Sequence, residues 1–395
     1  MNDLARHYSR FRVGERLLLT GHSHQAWPDV ALQGQIDVFL DAADGVDAKW
    51  DKAFAVADRV RDGFRGFLGE PGTDLALGQN THELVLRFLS ALDIRRRPRL
   101  ITSDGEFHTL RRQLARLGEA GIELVVVPAD PVETLAERLA AQIDDRTAAV
   151  LVSAVLFGTS AIVPGLDHLA ANLRGAELLI DAYHALGAVP FAAPDNAWVV
   201  GGGYKYLQLG EGNCFLRLPA HAQELRPVFT GWYAEFGELA ARRVPGEVGY
   251  ATGGMRFAGA TYDPTSNYRA ARVFDFFAEH GLTPGYLRES YLRQTTLLAE
   301  AFDALNLPDE IATRDRDRPR TAFGGFLTID TPNAARYQHE LAERGVATDS
   351  RGNNLRFGPA PYLRDDQLHA AMAALGELVA EDGHQVSNPT SSRSC

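Results

Sequence analysis

The chain is short of cysteine, lacks any long apolar run and carries too little positive charge to balance its acids, and each shortage narrows what it can be. Its two cysteines, Cys214 and Cys395, lie far apart and without the spacing of a metal site. A disulfide framework and a zinc ribbon are thereby excluded. No stretch approaches the ~18 apolar residues of a membrane span. Met1 to Arg16 is polar and charged, with no apolar core of signal-peptide length, so a reducing cytoplasm is the default location. Lysine and arginine number 40 against 51 acidic residues, a net charge of −11. Nucleic acid and anionic membranes need clustered basic residues and are not expected partners. The one basic run, Arg95-Arg96-Arg97-Pro98-Arg99, reads as a solvated helix end and loop.

What is there is an ordinary globular composition over 395 residues, long enough for a large domain and a smaller one. Short β-like runs alternate with helical stretches between about residues 70 and 215. The strand candidates are Asp74–Leu77, Arg99–Thr102, Glu123–Val127, Ala148–Val152, Leu178–Asp181, Ala197–Gly201 and Asn213–Leu218. Between them lie amphipathic segments at Thr81–Leu92, Thr109–Ala120, Pro131–Gln142 and Gly165–Leu173. This pattern predicts an α/β fold, a mostly parallel sheet with helices on both faces. After Pro264 the texture changes to a long helical region, Ser266–Leu305, and then to a small α+β unit: Gly325–Asp330, Pro332–Arg344, Leu355–Phe357 and Arg364–Val379. The expected domains are an N-terminal segment (1–45) packing with the small domain, a large α/β domain (46–265), a small C-terminal α+β domain (266–381) and a tail (382–395). The tail is rich in Ser, Asn and Pro, is expected to be disordered, and robs Cys395 of functional weight.

Ligands of open α/β sheets sit at the carboxyl ends of the strands. One candidate strand ends in Asp181-Ala182-Tyr183-His184, and the next runs into Gly201-Gly202-Gly203-Tyr204-Lys205-Tyr206. A carboxylate at a strand end, followed by a lysine after a glycine-rich turn, fits the demands of pyridoxal 5′-phosphate (PLP). Lys205 would form the Schiff base. Asp181 would pair with the pyridine nitrogen and keep it protonated, since a neighbouring anion favours the charged form. A surface lysine and an unrelated aspartate are the bland alternative, outweighed once the glycines and His184 are added. The segment Leu77-Gly78-Gln79-Asn80-Thr81-His82 joins a strand to a helix, where free amides favour an anion such as the cofactor phosphate. Asn80 or Thr81 also suits a plain helix cap, and the two roles are compatible.

Arg356, in Asn354-Leu355-Arg356-Phe357-Gly358-Pro359, lies amid apolar residues and must have a partner, either a substrate carboxylate or one of the protein's own. The run Gly201-Gly202-Gly203 lacks the spacing of a dinucleotide fingerprint. His22-Ser23-His24 has no third metal ligand nearby, so no metal is expected and a turn or substrate-loop role is preferred. Cys214, in an apolar segment, reads as a buried thiol.

These residues resemble those of the kynureninases, in the class V aminotransferase group of fold-type I PLP enzymes. Asp181-Ala182-Tyr183-His184 with Gly187-Ala188-Val189-Pro190 resembles the family's Asp-x-x-His…Gly-Ala-Val-Pro segment, and Tyr204-Lys205-Tyr206-Leu207 its Tyr-Lys-Tyr-Leu. Gly231-Trp232 resembles its Gly-Trp. Arg344-Gly345-Val346-Ala347-Thr348-Asp349-Ser350-Arg351, running into Leu355-Arg356-Phe357-Gly358-Pro359-Ala360-Pro361-Tyr362, resembles its Arg-Gly-Val…Asp-x-Arg…Leu-Arg-Phe-Gly…Pro-x-Tyr.

The resemblance implies that Lys205 carries the cofactor, Asp181 meets its ring nitrogen, and His184, Tyr204 and Thr81 surround it and its phosphate. It implies that Phe107 stacks on the ring, with His108 as a rival, and that Arg356 holds the substrate's α-carboxylate. Trp232, Thr261 and Asp263 would reach the phosphate of the other subunit's site, which implies a homodimer. His22 and Ser23 fall on the substrate side. Three segments depart from the family: Gly21-His22-Ser23-His24-Gln25 in place of Gly-Asn-Ser-Leu-Gly, Phe107-His108-Thr109-Leu110 in place of Phe-Pro-Ser/Thr-Asp, and Tyr262-Asp263-Pro264-Thr265 in place of Ser-Asn-Pro-Pro.

The implied reaction is hydrolytic cleavage of the Cβ–Cγ bond of L-kynurenine or 3-hydroxykynurenine to the anthranilate and L-alanine, with Lys205 as general base and Tyr204 relaying protons. Transamination or C–S cleavage of another amino acid is the alternative. A cysteine desulfurase needs a nucleophilic cysteine just before the substrate arginine, and Thr348 to Asn354 contains none. A PLP-binding protein without activity is a third, weaker reading.

Overall fold

The segment Thr147–Ser153 reads Thr-Ala-Ala-Val-Leu-Val-Ser, without a charge, and every residue in it is buried. A strand buried on both faces needs layers on both sides of its sheet. The computed structural model, which describes residues 3–239 and 245–386, supplies them. Its strands are β1 (Leu17–Leu18), β2 (Asp74–Gly78), β3 (Arg99–Ser103), β4 (Glu123–Val127), β5 (Thr147–Ser153), β6 (Glu177–Asp181), β7 (Trp198–Gly202), β8 (Cys214–Leu218), β9 (Leu327–Asp330), β10 (Val346–Ala347), β11 (Asp349–Arg351) and β12 (Asn354–Phe357). Its α-helices are α1 (Val30–Gly45), α2 (Lys49–Leu68), α3 (Thr81–Ala91), α4 (His108–Glu119), α5 (Leu135–Ala140), α6 (Leu166–Ala171), α7 (Thr265–Glu279), α8 (Pro284–Asp303), α9 (Ala334–Glu343) and α10 (Asp365–Val386).

Seven strands form the main sheet in the order β2-β8-β7-β6-β5-β3-β4. All neighbours from β7 to β4 are parallel, while β8 runs antiparallel to both β7 and β2. Side chains alternate between faces. Val150, Val152, Leu178, Ile180 and Val199 join one buried cluster, and Ala149, Leu151, Leu179, Trp198 and Val200 join the other. Because β8 reverses direction, the carboxyl ends of β2, β6 and β7 lie on the same edge. The connections that leave that edge carry Asn80, His184 and Lys205.

A second, three-stranded sheet, β11-β12-β9, is antiparallel throughout. The N-terminal strand β1 pairs in parallel with β10, Leu17 opposite Val346, and Thr20 bridges to Gly358. Phe64 of α2 is fully buried, with ring centroids 4.7 Å from Phe215 and 5.4 Å from Phe274.

The long helical region expected at Ser266–Leu305 is two helices, α7 and α8. Gly281 turns left-handed at φ 65°, Thr283 Oγ1 accepts from Tyr286 N at 3.2 Å, and Pro284 opens α8. Stop and start signals placed back to back override the continuous apolar spacing. The segment expected to be helical at Pro131–Gln142 is helical in pieces, a short 3₁₀ turn at Val132–Thr134 followed by α5. Helix α10 carries on to Val386, past the expected boundary at 381, and the remainder of the tail lies outside the described residues.

Truncating a fully buried phenylalanine costs about 3–5 kcal/mol. Phe64→Ala should therefore lower the urea midpoint of unfolding markedly, whereas the exposed Phe39→Ala should leave it within experimental error; far-ultraviolet circular dichroism measures both.

Candidate active site

Lys205 sits in the connection from β7 to β8, which Gly203 and Asn213 close with a backbone hydrogen bond of 2.9 Å. The glycines before it are required by packing. A Cβ on Gly202 would lie 2.4 Å from Tyr183 Oη, and one on Gly203 would lie 2.2 Å from Leu209 Cδ1. The turn therefore presses against the β6 loop, and the Lys205 side chain enters a cavity of about 220 Å³.

Around that cavity the structure gathers Lys205, Asp181, His184, Tyr204, Asn80, Thr81 and Phe107. Lys205 is 5% exposed, and its Nζ lies 2.5 Å from His184 Nε2. The Nζ also faces the rings of Tyr183, Phe107 and Tyr204 at 4.9, 5.5 and 5.8 Å from their centroids. Burial lowers the lysine's pKa to about 7, against the pull of Asp181 and with help from the Arg356 charge. Burial likewise drives His184 well below its ordinary value, so its imidazole is neutral and Nε2 can accept from the ammonium. His184 Nδ1 is buried and has no hydrogen-bond partner among the described residues.

Asp181 closes β6, and its Oδ1 accepts from the Tyr183 amide at 2.8 Å. Burial raises its pKa, with that hydrogen bond and Lys205 opposing. Asn80 caps α3 by accepting from Glu83 N at 2.9 Å, and Asn80, Thr81 and His82 at the start of that helix line the cavity. Phe107 lines the cavity, whereas His108 opens α4 and packs edge-on against Phe157 at 5.5 Å. Tyr204 stacks on His24 at 4.8 Å, and burial pushes its hydroxyl up to about 12.

Other expected residues are held elsewhere. His22 is fully buried, and its Nε2 lies 2.8 Å from Asp349 Oδ1, so it cannot face an open cavity. Ser23 Oγ bonds His24 Nδ1 at 3.1 Å. Arg356 answers the question its sequence left open with a protein carboxylate: Nε and Nη2 donate to Asp349 at 2.7 and 2.5 Å, and Nη1 donates to Phe157 O at 2.5 Å. Trp232, Thr261 and Asp263 do not line the Lys205 cavity of their own chain. Thr261 borders a larger, adjoining cleft of about 770 Å³. Trp232 packs on Tyr233 at 4.3 Å, and Asp263 accepts from Thr265 N at 2.9 Å at the start of α7. Cys214 lies in the cavity wall, but burial pushes its thiol up to about 12, far from a nucleophilic thiolate.

The sequence also concealed Glu106. It is 1% exposed and accepts from Ser103 Oγ at 2.6 Å and from Ser153 Oγ at 2.5 Å. Burial raises its pKa to about 7, with the two serines opposing and the Asp181 charge adding to the rise. Ser153 and Asp181 are register partners in β5 and β6, so two buried carboxylates share one corner. An acid in a Gly-Glu-Phe loop carries no periodic signal that would have marked it.

Among the described residues no cluster of side chains could hold a metal ion, and no helix is long and apolar enough to cross a membrane. The arrangement suits a planar anionic group with an electrophilic carbon: an amine that loses its proton near neutrality, a carboxylate for a ring cation, an aromatic wall and a helix N-terminus for an anion.

No family model and no curated protein matches the chain. Solved structures do. A mutant of C-DES with glycine covalently linked to its PLP cofactor superposes with a TM-score of 0.81 at 15% identity, over 94% of this chain and 98% of that one. The apo cysteine desulfurase of Thermococcus onnurineus gives 0.78 at 14% identity, over 96% and 98%. The cysteine desulfurase CsdA of Escherichia coli gives 0.76 at 16% identity, over 95% and 98%. The chain has the fold of the fold-type I PLP enzymes. At this identity the likeness carries the architecture alone.

An amine reacts as the free base, so its modification rate rises through its own pKa. Reductive methylation of Lys205 by formaldehyde, followed by mass spectrometry, should climb to a plateau with a midpoint near pH 7. Exposed lysines such as Lys52 should still be climbing well above that.

Proposed function

We propose that the protein is a PLP-dependent enzyme that carries its cofactor on Lys205 and breaks a bond to the β-carbon of an amino-acid substrate. The observation that carries the proposal is the buried, proton-poised Lys205 beside His184 and Asp181 in one cavity. Orphaned His184 Nδ1, the carboxylate of Asp181, the Phe107 ring and the α3 amides form a cradle that fits PLP. PLP, when bound, supplies an electron sink for charge that develops on the substrate's α-carbon.

Everything else is the work of side chains. Lys205, with its pKa near neutrality, takes the α-proton and can return it. Neutral His184 holds the lysine's nitrogen in place, and Asp181 keeps a cation favourable at the ring nitrogen. Tyr204, its proton firmly held, stays protonated and donates a hydrogen bond into the cavity it lines. Arg356 would receive the substrate carboxylate.

On the nature of the bond, the comparisons support the C–S alternative better than kynurenine hydrolysis. C-DES, a cystine C–S lyase, has also been solved with its product cysteine persulfide. A desulfurase that passes sulfur to its own cysteine is the poorer model, because Cys214 is a buried thiol. Kynurenine cleavage stays as the second reading on the strength of the Tyr204–Leu207 and Arg344–Tyr362 motifs. We also propose a homodimer: Val228, Phe229 and Trp232 are 76, 63 and 44% exposed, and such apolar side chains on one loop call for cover.

The PLP-loaded enzyme should release persulfide from L-cystine, and Lys205→Ala should abolish both this activity and the lysine-linked visible absorption. Anthranilate from L-kynurenine instead would move the reaction to the C–C bond. Amination of the cofactor in a single turnover, with neither product, would overturn cleavage at the β-carbon.

A further inference from the structure

Arg356 is 3% exposed and Asp349 lies directly opposite it in the β11–β12 register. The pair is thus built into the sheet. Asp349 takes the side of the guanidinium formed by Nε and Nη2, at 2.7 and 2.5 Å. A guanidinium has five N–H groups. Two go to Asp349 and one, on Nη1, goes to Phe157 O at 2.5 Å. One N–H on each terminal nitrogen is left, which is what a carboxylate needs for a two-point contact. Phe157 itself lines the Lys205 cavity, so Arg356, which does not line it, is bonded to a residue of its wall.

Asp349 is held in turn by His22. A carboxylate only accepts, so the His22 proton is on Nε2, 2.8 Å from Asp349 Oδ1. Burial lowers the His22 pKa to about 4, against the pull of Asp349, which leaves the imidazole neutral. Burial works to raise the Asp349 carboxyl, but the His22 hydrogen bond and the Arg356 charge outweigh it and hold it well below the usual carboxylate range. The His22 ring stacks on Phe326 at 4.5 Å, and the same Phe326 ring faces the Arg356 guanidinium at 5.6 Å. Residue 358 has to be glycine for this, since a Cβ there would lie 2.2 Å from His22 Nδ1.

We propose that Asp349 and His22 are positioning residues that aim Arg356: they fix one edge of the guanidinium so that its free N–H groups are presented to the carboxylate of an amino-acid substrate. The inference rests on the reading of Arg356 as the carboxylate ligand. An arginine held along one edge loses less rotamer freedom on binding than a free one. The fixed Asp349 charge also lets a neutral arginine–aspartate pair meet an incoming anion without leaving a buried cation unpaired in the empty site.

The test titrates the visible absorption of the PLP-loaded enzyme with L-alanine and with ethylamine, the same molecule without the carboxylate. Asp349→Asn should weaken L-alanine by about tenfold or more while ethylamine stays within about twofold. Equal weakening of both ligands, or of neither, overturns the proposal. Arg356→Gln separates it from the parent reading. If Arg356→Gln leaves L-alanine unaffected, Arg356 is not the carboxylate ligand and both fall. If Arg356→Gln weakens L-alanine and Asp349→Asn does not, only the positioning role falls. Where Asp349→Asn does not fold, His22→Ala against His22→Gln makes the comparison without changing charge: loss of L-alanine selectivity in the first and recovery in the second is expected, and no difference between them refutes it.

Discussion

A primary amine taken out of water loses hydration worth several kcal/mol unless something in the protein replaces it. At Lys205 the replacement is partial: one neutral imidazole at 2.5 Å, three aromatic faces between 4.9 and 5.8 Å, and the Asp181 carboxylate acting from the end of the neighbouring strand. The shortfall is what brings the lysine's pKa from its ordinary value to about 7. Had Asp181 formed a tight ion pair with Lys205, the ammonium would have been locked on. Had the cavity been wet, the amine would titrate like any surface lysine. The sheet makes the intermediate case possible, because parallel β6 and β7 deliver an acid and a lysine-bearing turn to one edge.

The same edge has to manage more than one buried charge. Glu106 lies beside the Asp181 strand, and its two serine hydroxyls carry the hydration it has lost. Each carboxylate raises the cost of ionising the other, so a positive charge placed between them and the cavity is favoured over a neutral group. In the second sheet Asp349 neutralises Arg356, and His22 completes the set without adding charge. Both places follow one rule, that a buried charge is accompanied by directed donors or acceptors from neighbouring strands.

Much of this was legible from residue order. The seven main strands fall where short apolar runs lie between helical stretches, and a strand-end Asp with a glycine-flanked Lys marks the chemical edge. What escaped did so for physical reasons. Arg356 and Asp349 meet across two strands, and cross-strand partners leave no fixed spacing in the chain. Glu106 takes its character from burial against β5, which no local pattern encodes. His22 sits in a turn whose composition suggests exposure, yet contacts to Gly358 and Asp349, both far along the chain, bury it completely. Trp232, Thr261 and Asp263 belong to segments that leave their own Lys205 cavity alone, and a single chain's sequence cannot say which copy a loop serves. The break between α7 and α8 was written in Gly281, Thr283 and Pro284, and periodicity masked it.

The likeness to a cystine lyase and to cysteine desulfurases fixes the layout of sheet and helices without fixing the reaction. On the proposed function, the electron sink, the lysine and the ring-nitrogen partner would serve any reaction that begins with loss of the α-proton, so they would not discriminate among the outcomes. Discrimination has to come from groups that reach the substrate beyond its α-carbon. His24 stacks on Tyr204, and Glu211, whose Oε1 lies 3.6 Å from His24 Nε2, lines the cavity. Both side chains are more than half exposed, so water screens their attraction and each remains free to turn toward a substrate. On the proposed function, Lys205 and Asp181 would activate the α-carbon of any amino-acid substrate alike, and the choice of bond would fall to other side chains that line the cavity, Glu211 among them.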